Sequence, residues 1–172
     1  MMKKVDCNQE FQKTAQEFFP EWDRTGWKAE FGTTKGQGSC NGKSKTIRVP
    51  RQFSKWDEEW TDEHTGKPIP EDEFILYREC ILIHEMCHAI LASRGKRGLA
   101  ANHNFHFYEL MRKAIDHAKN TAQVPLASLL EVSLHDTKII HDRFDNQLRN
   151  PSDLLASNQE YLKGELEFLF SE

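Results

Sequence analysis

The amino-acid sequence predicts one α+β domain: a small antiparallel sheet of about three strands packed on a long buried helix, with further helices towards the carboxy terminus. Three observations point there. Apolar and polar residues alternate in two short stretches, 27–32 and 46–49, the signature of half-buried strands. Residues 74–91 are apolar almost throughout, and that run is far too long for a strand. A helix that is hydrophobic nearly all round is a buried one. Beyond it, apolar residues recur at helical spacing to the end of the chain. The 172 residues suffice for a single core. Residues 1–120 hold that core, and 121–172 form a helical extension packed on the same domain.

In chain order, Phe11, Ala15, Phe18 and Phe19 share one side of a first helix over 8–19. Asn8 is its expected cap, and Pro20 stops it. Trp27 and Phe31 mark the first strand. Gly32 to Gly42 holds four glycines among Ser, Thr and Asn, so it is turn-rich, with room for a short middle strand at 38–41. Ile47 and Val49 mark the last strand, which Pro50 closes. Residues 51–70 have no periodicity and are long for a connection inside a compact domain, as binding loops and lids often are. Their Trp56 and Trp60 are expected to pack on the body of the protein rather than on a substrate.

Pro70, Glu71, Asp72 and Glu73 open the long helix well, with proline in the first turn and acids against the helix dipole. It should run to about Ser93, and Arg94-Gly95-Lys96-Arg97-Gly98 should end it with glycine and basic residues. A next helix starts near Asn102, its expected cap, with Phe107, Leu110, Met111, Ala114 and Ile115 on its apolar stripe. Two more are expected, over 125–148 and 153–170, their apolar faces covering the core.

The buried helix carries His84-Glu85-Met86-Cys87-His88, a H-E-x-x-H sequence. Residues four apart lie on one helical face about 6 Å along the axis. Both imidazoles can therefore approach one ion at about 2.0–2.1 Å, which points to zinc. Glu85 stands beside the ion, where a general base belongs. Buried His and Glu need partners, which strengthens the reading. A catalytic zinc takes three protein ligands. The metzincin pattern would need Gly and His where Leu91 and Arg94 stand. Glu109 is the one nearby glutamate for a thermolysin-like arrangement, with nothing around it in support. His103 and His106 remain. The other histidines, His117, His135 and His141, fall on polar helical positions, and His64 lies in the acidic loop.

The formal net charge of −4 argues against a dedicated nucleic-acid binder. Its distribution is uneven: seven basic residues from Arg24 to Arg51 face Glu30 alone, and acids dominate 52–73. Such runs are usually solvated faces, and a basic groove for an acidic partner is the alternative. Cys7, Cys40, Cys80 and Cys87 are scattered, with no C-x-x-C pair and no disulfide framework. With no apolar leader and no run of ~18 apolar residues, a soluble cytoplasmic protein is expected.

Residues 84–88, then His103-Asn104-Phe105-His106-Phe107, make the chain similar to the SprT-like (Spartan/SprT-type) zinc metallopeptidases. There H-E-x-x-H is followed by a loop and H-G-x-x-F at the next helix. The upstream order is similar too: a helix, a Trp-containing strand, a Gly-Ser-Cys turn and an Ile-x-Val strand. The resemblance covers about Phe11 to Ile115 and implies a zincin-like fold. It assigns His84, His88 and His103 as zinc ligands, Glu85 as the catalytic base, and Phe107 to packing. Asn104 stands where the family has glycine, 52–70 is longer than the usual connection, and no cysteine follows Cys87 to build the zinc ribbon many relatives carry.

The expected function is zinc-dependent endoproteolysis of protein or peptide substrates, with DNA-associated proteins as one class. The first strand, if it is a free edge, would pair with an extended substrate. Tyr77, Tyr108 and His106 are candidates to stabilise the oxyanion, and the sequence does not choose. The alternative is a zinc-stabilised binding module, DNA-associated through its basic segment, with weak or no peptidase activity.

Overall fold

The computed structural model describes residues 5–33, 37–62, 65–95 and 103–135. Within them the chain is α+β, with four α-helices and a three-stranded mixed sheet. The expected helix over 153–170, and the stretch of the preceding one beyond His135, lie outside the described residues.

Helix α1 (Cys7–Phe18) buries Phe11, Ala15 and Phe18. Its cap is Asp6, whose carboxylate accepts the Gln9 N–H at 3.0 Å, and not Asn8 as expected. The Asn8 side chain reaches instead across to strand β1 (Lys28–Phe31) and accepts the Ala29 N–H at 3.0 Å. One turn on, Gln12 donates to the Trp27 carbonyl at 3.3 Å. A side chain that could satisfy its own helix thus ties down a strand, and the outer edge of β1 is covered by α1 rather than free.

Strands β2 (Ser39–Asn41) and β3 (Thr46–Val49) form a hairpin around Asn41, whose side chain accepts the Lys43 and Ser44 N–H groups. The sheet order is β1-β3-β2, with β1 parallel and β2 antiparallel to β3. The expected all-antiparallel sheet is therefore incorrect. Strand directions alternate along the chain as anticipated, but the neighbours differ. Strand β3, whose Ile47 and Val49 are fully buried, takes the centre. The polar Ser-Cys-Asn of β2 goes to the edge, where unpaired backbone groups are best tolerated.

A 3₁₀ turn (Arg51–Phe53) drops Phe53 into the core. The long excursion that follows is anchored. The Trp56 indole donates to the Ile69 carbonyl at 2.9 Å, Trp60 packs edge-on against Phe74, and Thr61 bridges Pro68. Both tryptophans pack on the body of the protein, as expected.

Helix α2 (Glu71–Ser93) is the centre of the described residues, with α1, β2, β3 and two later helices all packed against it. It closes at Gly95, whose φ of +76° is the left-handed geometry that suits glycine after a helix. Arg78 locks α1 and the 3₁₀ turn onto it. The guanidinium makes two 2.7 Å bonds to the Glu10 carboxylate and one of 3.1 Å to the Phe53 carbonyl. Helix α3 (Phe105–Asn120) and helix α4 (Val124–His135) pack on each other and on α2. Leu126 and Leu130 are buried in the same cluster as Phe11 and Ile47, so the apolar face of α4 covers the core. No helix among the described residues is long and apolar enough to cross a membrane.

Candidate metal centre

His84 and His88 sit one turn apart on α2, and the sequence turns a third imidazole onto them. Helix α3 begins at Phe105 and its cap is Asn104, not Asn102 as expected. The Asn104 side chain accepts the Phe107 N–H at 3.1 Å, and its backbone is extended. An extended cap needs no glycine, which accounts for Asn at this position. It also leaves His103 outside the helix, pointing back at α2.

The Nε2 atom of His84 lies 3.2 Å from that of His88 and 3.1 Å from that of His103. One ligand atom from each of the three comes within 4.8 Å of the others, and the cluster could hold a metal ion. Two nitrogens bound tetrahedrally at 2.0–2.1 Å stand about 3.3–3.4 Å apart, close to the spacing of His84 from each of the other two, so the residues fit such an ion. Phe107, fully buried, underlies all three rings, at centroid distances of 4.9 Å (His84), 4.6 Å (His88) and 4.7 Å (His103). Burial, and next the neighbouring His88, push the His103 pKa down to about 4, which leaves the ring neutral at pH 7. A neutral imidazole is the form that ligates.

His106 is on the exposed side of α3, with its Nδ1 3.7 Å from the Glu109 carboxylate. Neither residue belongs to the cluster. His117, expected on an exposed position, is half-buried, edge-on against Phe18 and 3.4 Å from Glu17. His64, His141 and the side chain of His135 lie outside the described residues.

Glu85 is buried beside the cluster, and burial pushes its carboxyl up to about 8. A cation on the three imidazoles would act in the opposite sense, favouring the carboxylate. Strand β2 lies against this residue. An ideal Cβ built on Gly38 would stand 2.9 Å from Glu85 Oε1. The Cys40 thiol, half-buried on the same strand, is pushed up to about 12 by burial and then by the Glu85 charge. This approach was missed from the sequence. The Gly-Ser-Cys turn was its only local sign, and nothing in the spacing ties it to α2.

Several residues of the basic run make bonds within the protein. Lys28 and Arg48 both pair with Glu30 on the outer face of the sheet, at 3.7 and 3.1 Å. Lys45 donates to the Thr25 carbonyl, Arg51 to the Thr33 carbonyl, and Arg24 to Gln12 and Gln16. Lys35 lies outside the described residues. A cleft of about 720 Å³ at the far end of α2, lined in part by Trp22, Ile90, Arg94 and Leu110, contains none of the three histidines.

No protein-family profile, characterised protein or solved structure matches the chain. The functional reading therefore stands on the site itself.

Proposed function

We propose that this protein is a zinc-dependent endopeptidase with a zincin-like fold, similar to the SprT-like metallopeptidases. The observation that carries the reading is the convergence of three histidine Nε2 atoms beside a buried glutamate on an otherwise apolar helix. Three imidazoles with one glutamate out of the ligand set are the composition of a catalytic zinc site rather than a closed structural one. Zinc bound there would supply Lewis acidity, bringing the pKa of water towards ~7 and polarising a peptide carbonyl. Glu85 takes the proton of the attacking water and passes it to the leaving amine. Its seat among apolar side chains limits solvent and strengthens each electrostatic contact it makes. Phe107 and the Asn104 cap hold the imidazoles in their convergent orientation.

The edge available to an extended substrate is β2, because α1 covers β1. Among the described residues strand β2 has one neighbour, β3, and Gly38, which leads into it, lies against Glu85, so a peptide added along it would pass beside the base. The second reading is a DNA-associated binding module, carried by the basic residues between Arg24 and Arg51, and charge reversal at Lys43, Lys45 and Arg48 tests it through DNA affinity and its salt dependence.

The test is metal content together with cleavage of unfolded and DNA-bound protein substrates, with and without single-stranded DNA, for wild type and Glu85→Gln. One zinc per chain, with cleavage abolished in Glu85→Gln, is expected. Full cleavage by that variant would refute the mechanism. Zinc without cleavage under any condition would favour the binding module.

A further inference from the structure

The two residues that flank strand β2, Gly38 and Gly42, both approach α2 closely. At one end, a Cβ on Gly38 would meet Glu85 Oε1 at 2.9 Å, Ile81 Cγ2 at 3.0 Å and Glu85 Cγ at 3.3 Å. At the other, a Cβ on Gly42 would meet the Ala92 Cβ at 3.1 Å. From Glu85 to Ala92 the helix rises about 10 Å, against about 13 Å for four extended residues, so both flanks of the strand lie over one stretch of α2. The strand thus runs along the helix and is pinned at both ends. Its backbone cannot back away freely, since Ser39, Cys40 and Asn41 are paired with Arg48, Ile47 and Thr46. Cys40, two residues from Gly38 and so on the same face of the strand, also senses the Glu85 charge.

We propose that Gly38 is a positioning residue for Glu85: the missing side chain leaves the space in which the carboxylate is seated between β2 and α2. This deepens the peptidase reading and rests on it. Ile81 need give by only a few tenths of an ångström, whereas the carboxylate, in the closer contact, is the free end of a flexible side chain. An added methyl group should therefore move the base rather than unfold the protein. The metal ligands are left alone.

The experiment compares Gly38→Ala with wild type and with Gly42→Ala, which adds the same group at the other flank of β2, away from Glu85. Zinc content, cleavage kinetics and the Glu85 carboxyl ¹³C resonance, assigned through Glu85→Gln, are read together. Gly38→Ala should keep its zinc, shift the Glu85 resonance and lower kcat about tenfold to a hundredfold with little change in KM, as expected for a base displaced by about 1 Å. Gly42→Ala should leave the resonance and kcat unchanged. In the Gly38→Ala background, Glu85→Asp should cost less activity than in wild type, because the shorter acid clears the new methyl group. An unmoved resonance or an unchanged kcat in Gly38→Ala overturns the proposal. A shifted resonance in a protein whose wild type cleaves nothing would uphold the seat and refute the peptidase reading. Should Gly38→Ala fail to fold, the double variant Gly38→Ala/Glu85→Asp is expected to recover. Continued misfolding would place the constraint on Ile81 and overturn the proposal.

Discussion

Phe107 is the residue through which packing and metal affinity can be separated. Its ring meets those of His84, His88 and His103 at 4.6–4.9 Å, within the range of favourable aromatic contacts. At about 0.5–1.5 kcal/mol each, losing all three would cost roughly 1.5–4.5 kcal/mol. Leucine keeps part of the buried volume, so Phe107→Leu should destabilise the metal-free protein by about 1–3 kcal/mol, against roughly 3–5 kcal/mol for Phe107→Ala. The larger interest is in the metal. Without the platform the three imidazoles gain orientational freedom that binding must remove. Loss of such an orienting partner typically weakens a metal site about tenfold to a hundredfold. Urea unfolding of the metal-free protein gives the first quantity, and competition with a chromophoric chelator gives the second. The reasoning fails if Phe107→Leu is destabilised as expected yet holds zinc within twofold of wild type. The ring would then be core filling, with no part in setting the site.

Three further outcomes follow from the same geometry. Glu10→Ala strands the nearly buried Arg78 guanidinium, and because Glu10 itself is about a third exposed the cost should be roughly 1–3 kcal/mol in urea unfolding, below that of a fully buried pair; no measurable cost would refute the lock between α1 and α2. Glu79 is half-buried, and its carboxyl is held above the usual range by burial first and then by Glu17 and Glu10. The folded state therefore holds that proton more tightly than the unfolded one, and stability falls as pH rises from about 4.5 through the folded pKa. Glu79→Gln should melt above wild type at pH 7 and with it at pH 3.5, and equal melting at both would exclude the effect. Finally, His103→Ala should lose stoichiometric zinc while His106→Ala retains it; the reverse result would exchange the two.

Much of this architecture was legible in the sequence because the signals were local. The extent of α2 follows from acids and proline at one end and glycine at the other. The pairing of His84 with His88 follows from helical periodicity alone. What escaped depended on choices between two partners of similar chemistry. Asp6 and Asn8 both can cap a helix, and the one that lost the cap was free to bond Ala29. Asn102 and Asn104 both can cap α3, and the choice of Asn104 decides where His103 points. The strand order turned on which of three short strands was apolar enough for the centre, a comparison that alternation within any one strand does not make.

Those choices are linked, which is why the site is more than its motif. Placing β3 in the centre sends the polar β2 to the edge, and the edge strand is the one that lies along α2. Asn8, released from capping, covers the other edge. The only strand left with an unpaired flank among the described residues is therefore the one that Gly38, against Glu85, leads into. A H-E-x-x-H helix fixes two ligands and a base relative to one another, but it says nothing of where a substrate would lie. Under the proposed peptidase reading the sheet would supply that direction, and the polarity of Ser39, Cys40 and Asn41, a feature with no metal chemistry in it, would set which edge is open.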